Sequence, residues 1–224
     1  MSEDLNRNPW LSILASDYEG HMESPGVDQL RLLRELLRER VEEFLPESLA
    51  VLGCATGAGF ESIDPTRVRR LVGIDINPEY IEIVRRRFAA AIPGLELICS
   101  DVAVLDLPPR SLDLFHAALV LEYVAPEVVV TEAATWLVPG GILSVLLQLP
   151  AAGGKVSDTS RASLRSLDSW MQLVEPDRLA AIATRHGFTE IRSQTIDWVG
   201  GKRFFAGVYR LKSPAAGEIA RPGP

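Results

Sequence analysis

Between residues 47 and 150 the chain alternates two kinds of hydrophobic pattern, and this alternation constrains the fold more than any other feature. The segments "ESLAVLG" (47–53), "RLVGID" (70–75), "LELICSD" (95–101), "LDLFHAALV" (112–120) and "ILSVLLQL" (142–149) are short apolar runs, the pattern of strands buried on both faces. Between them the period lengthens. In "NPEYIEIVRRRF" (77–88) Asn77 caps a helix, Pro78 takes its first position, and Ile81, Val84 and Phe88 form an inward stripe. "APEVVVTEAATWLVPGG" (125–141) predicts a second helix, stopped at Pro139-Gly140. Strands alternating with helices predict right-handed crossovers and a doubly wound, mostly parallel α/β sheet.

The flanks add to this frame. Leu30, Leu33, Leu37, Val41 and Phe44 recur at helical spacing, predicting a helix over 24–46 with Ser24 as cap and Pro25 in the first turn. "EPDRLAAIATRHGF" (175–188) predicts a helix ended by Gly187 in the left-handed region. Two strand-like runs, 189–199 and 202–211, flank Gly200-Gly201 and predict a tight hairpin, so that the sheet closes with an antiparallel strand. The expected organisation is an N-terminal helical cap or lid (1–46), a central domain (47–212), and a disordered Pro-, Gly- and Ala-rich tail (213–224). The segment before the last helix, "PAAGGKVSDTSRASLRSLDSWMQL" (150–173), reads as flexible and then helical. Trp170 is a plausible pocket wall, with core packing as its alternative.

Composition narrows the function classes. A net charge of -7 argues against a duplex nucleic acid as partner. No run is long enough to cross a bilayer, and "MSEDLNRNPW" is acidic where a secretory leader is basic and then apolar, so a cytoplasmic protein is expected. Cys54 and Cys99 have no second CxxC or nearby histidine and suggest neither a disulfide framework nor a metal site.

The chemistry is expected at strand ends. In an open parallel sheet, ligands lie beyond the carboxyl ends of the strands, where the first strand turns into its helix through a small-residue bend. "LAVLGCATGAGF" (49–60) is such a bend, with Gly53, Ala55, Gly57 and Gly59 keeping side chains off the backbone. Its alternative is a turn that only packs helix on strand. Asp75 ends the second strand, where a carboxylate can accept both hydroxyls of a ribose. Asp101 ends the third, where it would face an adenine amino group beside the Val102 N–H.

The stretches "VLGCATGAG", "VGIDINPEYIEIVRRR", "LICSDVAVLDLP", "SLDLFHAALVLEYV" and "WLVPGGILSV" together resemble the motifs of class I S-adenosylmethionine-dependent methyltransferases, over about residues 47 to 150. The resemblance implies a seven-stranded Rossmann-like sheet binding S-adenosylmethionine, with S-adenosylhomocysteine as product. Gly53, Cys54, Ala55, Thr56 and Gly57 would lie near ribose and methionine, and Asp75 and Ile76 at the ribose. Asp101 and Val102 would hold adenine, and Ala118 and Leu119 would line the methionine side. The chain departs from the family at Val51, where an acid is usual, and at Ala55, where glycine is frequent.

Methyl transfer from a sulfonium is an in-line displacement that needs alignment in a dry pocket, with a general base only for some acceptors. Glu122 and Tyr123, following the fourth strand, and His21 are the candidates for a base. Tyr18 could cover the sulfonium or bond the methionine carboxylate. His116, inside a strand, reads as a core residue, and His186 as a helix-end charge. The expected partner is a small-molecule acceptor. Two alternatives stand beside this reading. One is a nicotinamide dehydrogenase, although a GxGxxG starting at Gly53 would require glycine at 55 and 58, both alanine. The other is a nucleoside-binding regulatory protein that transfers nothing.

Overall fold

A computed structural model describes residues 8–151 and 161–213. The leader reading of residues 1–7, the first part of the 150–173 insertion and nearly all of the tail lie outside the described residues.

The strands are β1 (Ser48–Leu52), β2 (Arg70–Asp75), β3 (Leu95–Cys99), β4 (Leu112–Ala118), β5 (Leu137–Gln148), β6 (Phe188–Asp197) and β7 (Arg203–Leu211). They form one seven-stranded sheet in the order β3-β2-β1-β4-β5-β7-β6. β1 to β5 pair in parallel, while β7 runs antiparallel to both β5 and β6. The order reverses at β1, so β1 and β4 leave a crevice between their carboxyl ends, the usual ligand position in this architecture.

Helices α1 (Ala15–Met22), α2 (Gln29–Phe44), α3 (Pro78–Phe88), α4 (Pro126–Trp136), α5 (Ala162–Arg165), α6 (Leu167–Trp170) and α7 (Pro176–Arg185) surround the sheet. Leu37 of α2 and Ile81 and Val84 of α3 pack with Leu49, Leu71 and Leu114 in one core layer. Val129, Val130, Ala133 and Trp136 of α4, with Leu179 and Ile182 of α7, pack with Phe115, Val145 and Tyr209 in another. Fully burying each of the valine, leucine, isoleucine and phenylalanine side chains among them contributes roughly 1.5–3 kcal/mol. Burial on both faces is why the parallel strands read as continuous apolar runs rather than alternating ones. Among the described residues no helix is long and apolar enough to cross a membrane.

Three boundaries differ from the sequence expectation, each for a local reason. The helix expected from Ser24 begins at Gln29. The Ser24 hydroxyl donates instead to the His21 carbonyl at 2.7 Å, and the Ser24 carbonyl accepts from Val27 and Asp28, so Ser24-Pro25 is a turn leaving α1. The helix expected to reach Pro139 ends at Trp136, and Leu137 already pairs with Leu112. A residue preceding proline is kept out of the helical region, so Val138 is committed to extended geometry and the strand starts early. The Gly200-Gly201 hairpin exists, but its loop spans Trp198 to Lys202, closed by Trp198 N–H donating to the Lys202 carbonyl at 2.8 Å. Its tip docks on the turn before α2: Trp198 Nε1 donates to the Val27 carbonyl at 3.0 Å, and a Cβ on Gly200 would meet the Gly26 carbonyl oxygen at 2.5 Å.

Candidate active site

After β1 the chain turns through Gly53 (φ 66°), Ala55 (φ 44°) and Gly57 (φ 85°), all in the left-handed region. A side chain on Gly53 would be strained at this φ and tightly placed, its Cβ 3.1 Å from Val120 Cγ2. The bend is held from β2. Asp75 Oδ2 accepts from the Ala55 N–H and Oδ1 from the Asn77 N–H, both at 2.9 Å. Val51, in the place of the family's usual acid, is buried in the core beneath α2 and contributes nothing polar. In this chain the β2 carboxylate therefore orders the bend. Burial pushes its pKa up to about 6, although the amide N–H groups pull it down. Each carboxylate oxygen keeps a further lone pair for a ligand donor.

Asn77 links this floor to a roof. Its Oδ1 accepts from Glu79 N–H at 2.9 Å, capping α3, while Nδ2 donates to the Trp10 carbonyl at 2.8 Å and the Ile13 carbonyl at 3.3 Å. Trp10 packs edge-on against Tyr123 with ring centroids 5.1 Å apart, and Tyr18 of α1 is tilted against Tyr80 of α3 at 5.6 Å. On the far side, α5 is clasped to α1: Asp17 accepts from the Ser163 hydroxyl at 2.6 Å and pairs with Arg161, whose guanidinium lies against Gly20.

These elements border a cavity of about 660 Å³. Its floor includes Gly53, Ala55, Asp75 and Ile76, and the end of β3 adds Asp101 and Val102. Asp101 Oδ1 also caps the turn that follows, accepting from Ala103 N–H at 2.9 Å. Ala118 and Leu119 line the cavity from the end of β4, with Leu119 at φ 55°, a conformation that costs a leucine energy and turns the chain inward. Tyr18, His21 and Tyr123 border it from above. Burial, then Arg161 and Lys202, lower the His21 pKa, so the imidazole is neutral near pH 7.

Four of the expected residues do not border the cavity. The Cys54 thiol is turned into the core toward Gly73, and burial raises its pKa. The Thr56 carbonyl accepts from Arg87 at 3.3 Å, and Gly57 packs against Phe88, where a Cβ would clash at 2.7 Å. Glu122 is 1% exposed behind the wall: its Oε1 accepts from Gln148 N–H at 2.6 Å, and burial pushes its pKa up to about 7. Away from the cavity, His116 is held by Ser144 Oγ at 3.1 Å. Trp170 is 41% exposed and serves neither as pocket wall nor as core. Its neighbours Leu164, Leu167 and Met171 form that wall instead. Trp10, Tyr80, Gln29 and Gln148 also line the cavity and carried no local sequence signal.

Residues 50–145 match the family model of a methyltransferase domain. The fold superposes on the N-methyltransferase NodS from Bradyrhizobium japonicum WM9 in complex with S-adenosyl-L-homocysteine with a TM-score of 0.67 at 19% identity, covering 92% of this chain and 100% of that one. It is similar to the [4+2]-cyclase SpnF (TM-score 0.65, 15% identity, 81% and 80% of the two chains). It is also similar to geranyl diphosphate methyltransferase in complex with SAM (0.64, 10%, 80% and 84%). No curated protein matches the chain in sequence. The strand order and the small-residue bend are those of the Rossmann-like methyltransferase fold, and within that fold residues 50–145 match a methyltransferase domain.

Proposed function

We propose that the cavity binds S-adenosylmethionine along its β1–β3 side and a small-molecule acceptor along its α1, α5 and α6 side. The observation that carries this reading is the meeting of the ends of β1, β2, β3 and β4 at one cavity, with Asp75 and Asp101 both among its lining residues. The chain's groups fit the cofactor by chemistry: acceptors for ribose hydroxyls at Asp75, an acceptor for an amino group at Asp101, and a bend without side chains for the tail. Bound there, S-adenosylmethionine would supply an electrophilic methyl group.

The chain's own contribution is then positional. Trp10, Met22, Leu33, Leu164, Leu167 and Met171 exclude water, so acceptor and methyl meet in a low-dielectric space. Neutral His21 and the Gln29 amide are among the groups that can orient an acceptor by hydrogen bonds. Neutral His21 can also accept a proton, whereas Glu122 lies behind the wall, away from the reacting space.

Isothermal titration calorimetry with S-adenosylmethionine, S-adenosylhomocysteine and NAD tests the binding half. Micromolar binding of the first two with none of NAD supports it, and the reverse sinks it. A panel of neutral, anionic and amine small molecules, read by release of S-adenosylhomocysteine, tests the transfer half. Cofactor binding without turnover on any of them would favour a nucleoside-binding protein that transfers nothing.

A further inference from the structure

We propose that the Tyr80 hydroxyl is a binding group for the nucleoside ligand, donating a hydrogen bond to one of its oxygen atoms, either on the ribose or on the carboxylate of the methionine tail. This inference rests on the reading that S-adenosylmethionine occupies the cavity. Tyr80 is the third residue of α3, and the Asn77 cap fixes the turn it stands on. Helical side chains lean toward the helix N-terminus, so its ring reaches back over the end of β2. There it packs with Ala55 and lies tilted 38° against Tyr18, on the cavity wall that also holds Asp75.

The residue is 1% exposed, yet its hydroxyl has no hydrogen-bond partner among the described residues. Three other buried polar atoms share that condition, on Arg40, Glu122 and Tyr209, but of the four residues Tyr80 alone borders the cavity. Buried hydroxyls are almost always bonded, so an orphan fixed by packing beside a ligand cavity points to a partner that arrives with the ligand. Burial, and then the neighbouring Tyr18 and Asp75, raise the phenol's pKa and keep it a donor throughout the working pH range. The pairing with Asp75 is complementary. A ribose diol both donates and accepts, and Asp75 and Tyr80 bring an acceptor and a donor to the lining of one cavity.

The test is Tyr80→Phe, which keeps the ring and removes only the hydroxyl. The ligand-free variant is expected to melt at the wild-type temperature or above it, because an unsatisfied group has been removed. Its affinity for S-adenosylhomocysteine by calorimetry is expected to fall roughly three- to tenfold for a bond to a neutral ribose oxygen, and more than about tenfold for one to the carboxylate. Titration with 5′-methylthioadenosine, which keeps the ribose and lacks the carboxylate, locates the partner. A matching loss assigns the ribose, and a loss confined to S-adenosylhomocysteine assigns the carboxylate. Equal affinity of wild type and variant for both ligands overturns the inference alone. So does a ligand-free variant that melts several degrees lower or fails to fold, since the hydroxyl would then have a structural partner. A wild-type protein that binds neither ligand overturns the cavity assignment, and this inference with it.

Discussion

Replacing Asp75 with alanine separates two jobs held by one carboxylate. In the ligand-free protein the side chain accepts two backbone amides, and hydrogen bonds to a charged group contribute roughly 1.5–3 kcal/mol each. Against this, the charge is buried: a pKa raised from 3.8 to about 6 corresponds to roughly 3 kcal/mol disfavouring the ionised form. Deletion thus relieves a buried charge while leaving two amides short of an acceptor. The two effects oppose each other, and each 1 kcal/mol of net change moves the melting temperature by about 2–4 °C for a chain of this size. Binding has no such compensation. Losing even one bond from a ribose hydroxyl to the carboxylate costs roughly 1.5–3 kcal/mol, so Kd for S-adenosylhomocysteine should rise about tenfold to about 150-fold.

The pH dependence sharpens the test. Only the ionised carboxylate can accept both ribose hydroxyls, and its ligand-free pKa is about 6. Wild-type affinity should be level above pH 7 and fall as pH drops through 6, a fall that Asp75→Ala abolishes. Stability moves the other way. With the folded pKa above the unfolded value, the folded state takes up this proton first, so the carboxyl's destabilising contribution is present above pH 6 and is relieved as pH falls toward 4. Calorimetry at pH 5, 6 and 8, paired with ligand-free melts, measures both. An alanine variant that folds and binds within about twofold of wild type would refute the ribose assignment.

Two further outcomes are expected. Ala55→Gly removes an L-residue from the left-handed region, a conformation costing roughly 1–2 kcal/mol, at an entropic cost of roughly 0.5–1 kcal/mol. Its melting temperature should be unchanged or higher and cofactor affinity retained, while Ala55→Val, β-branched at the same φ, should melt lower. Glu122→Gln removes a carboxyl whose folded pKa of about 7 exceeds its unfolded value, so the variant's stability relative to wild type should improve as pH rises from 5 to 8. Thermal melts across that range check it, and a difference independent of pH would refute the buried-charge account.

Whether a local signal is decisive depends on what competes with it. Asn77-Pro78 and Ser24-Pro25 look alike as helix starts. The first is one, because the Asn77 carboxamide oxygen finds the Glu79 amide and Pro78 follows directly into the helix. The second is not, because the Ser24 hydroxyl is already engaged by the last turn of α1. That competition is invisible in the sequence, since α1 has weak apolar spacing and is held by contacts far along the chain, such as Tyr18 on Tyr80. The same division runs through the site. Asp75 and Asp101 stand out because strand ends in a doubly wound sheet must converge, so their positions follow from topology. Tyr80 stays hidden because the stripe that packs α3 on the sheet runs through Ile81 and Val84, and periodicity assigns Tyr80 no inward role. Its burial comes from the N-terminal segment instead, in a cluster with Ile13, Tyr18 and Met22. A residue buried by a roof rather than by its own sheet leaves no period in the sequence, and the side of this cavity built from α1, α5 and α6 consists largely of such residues.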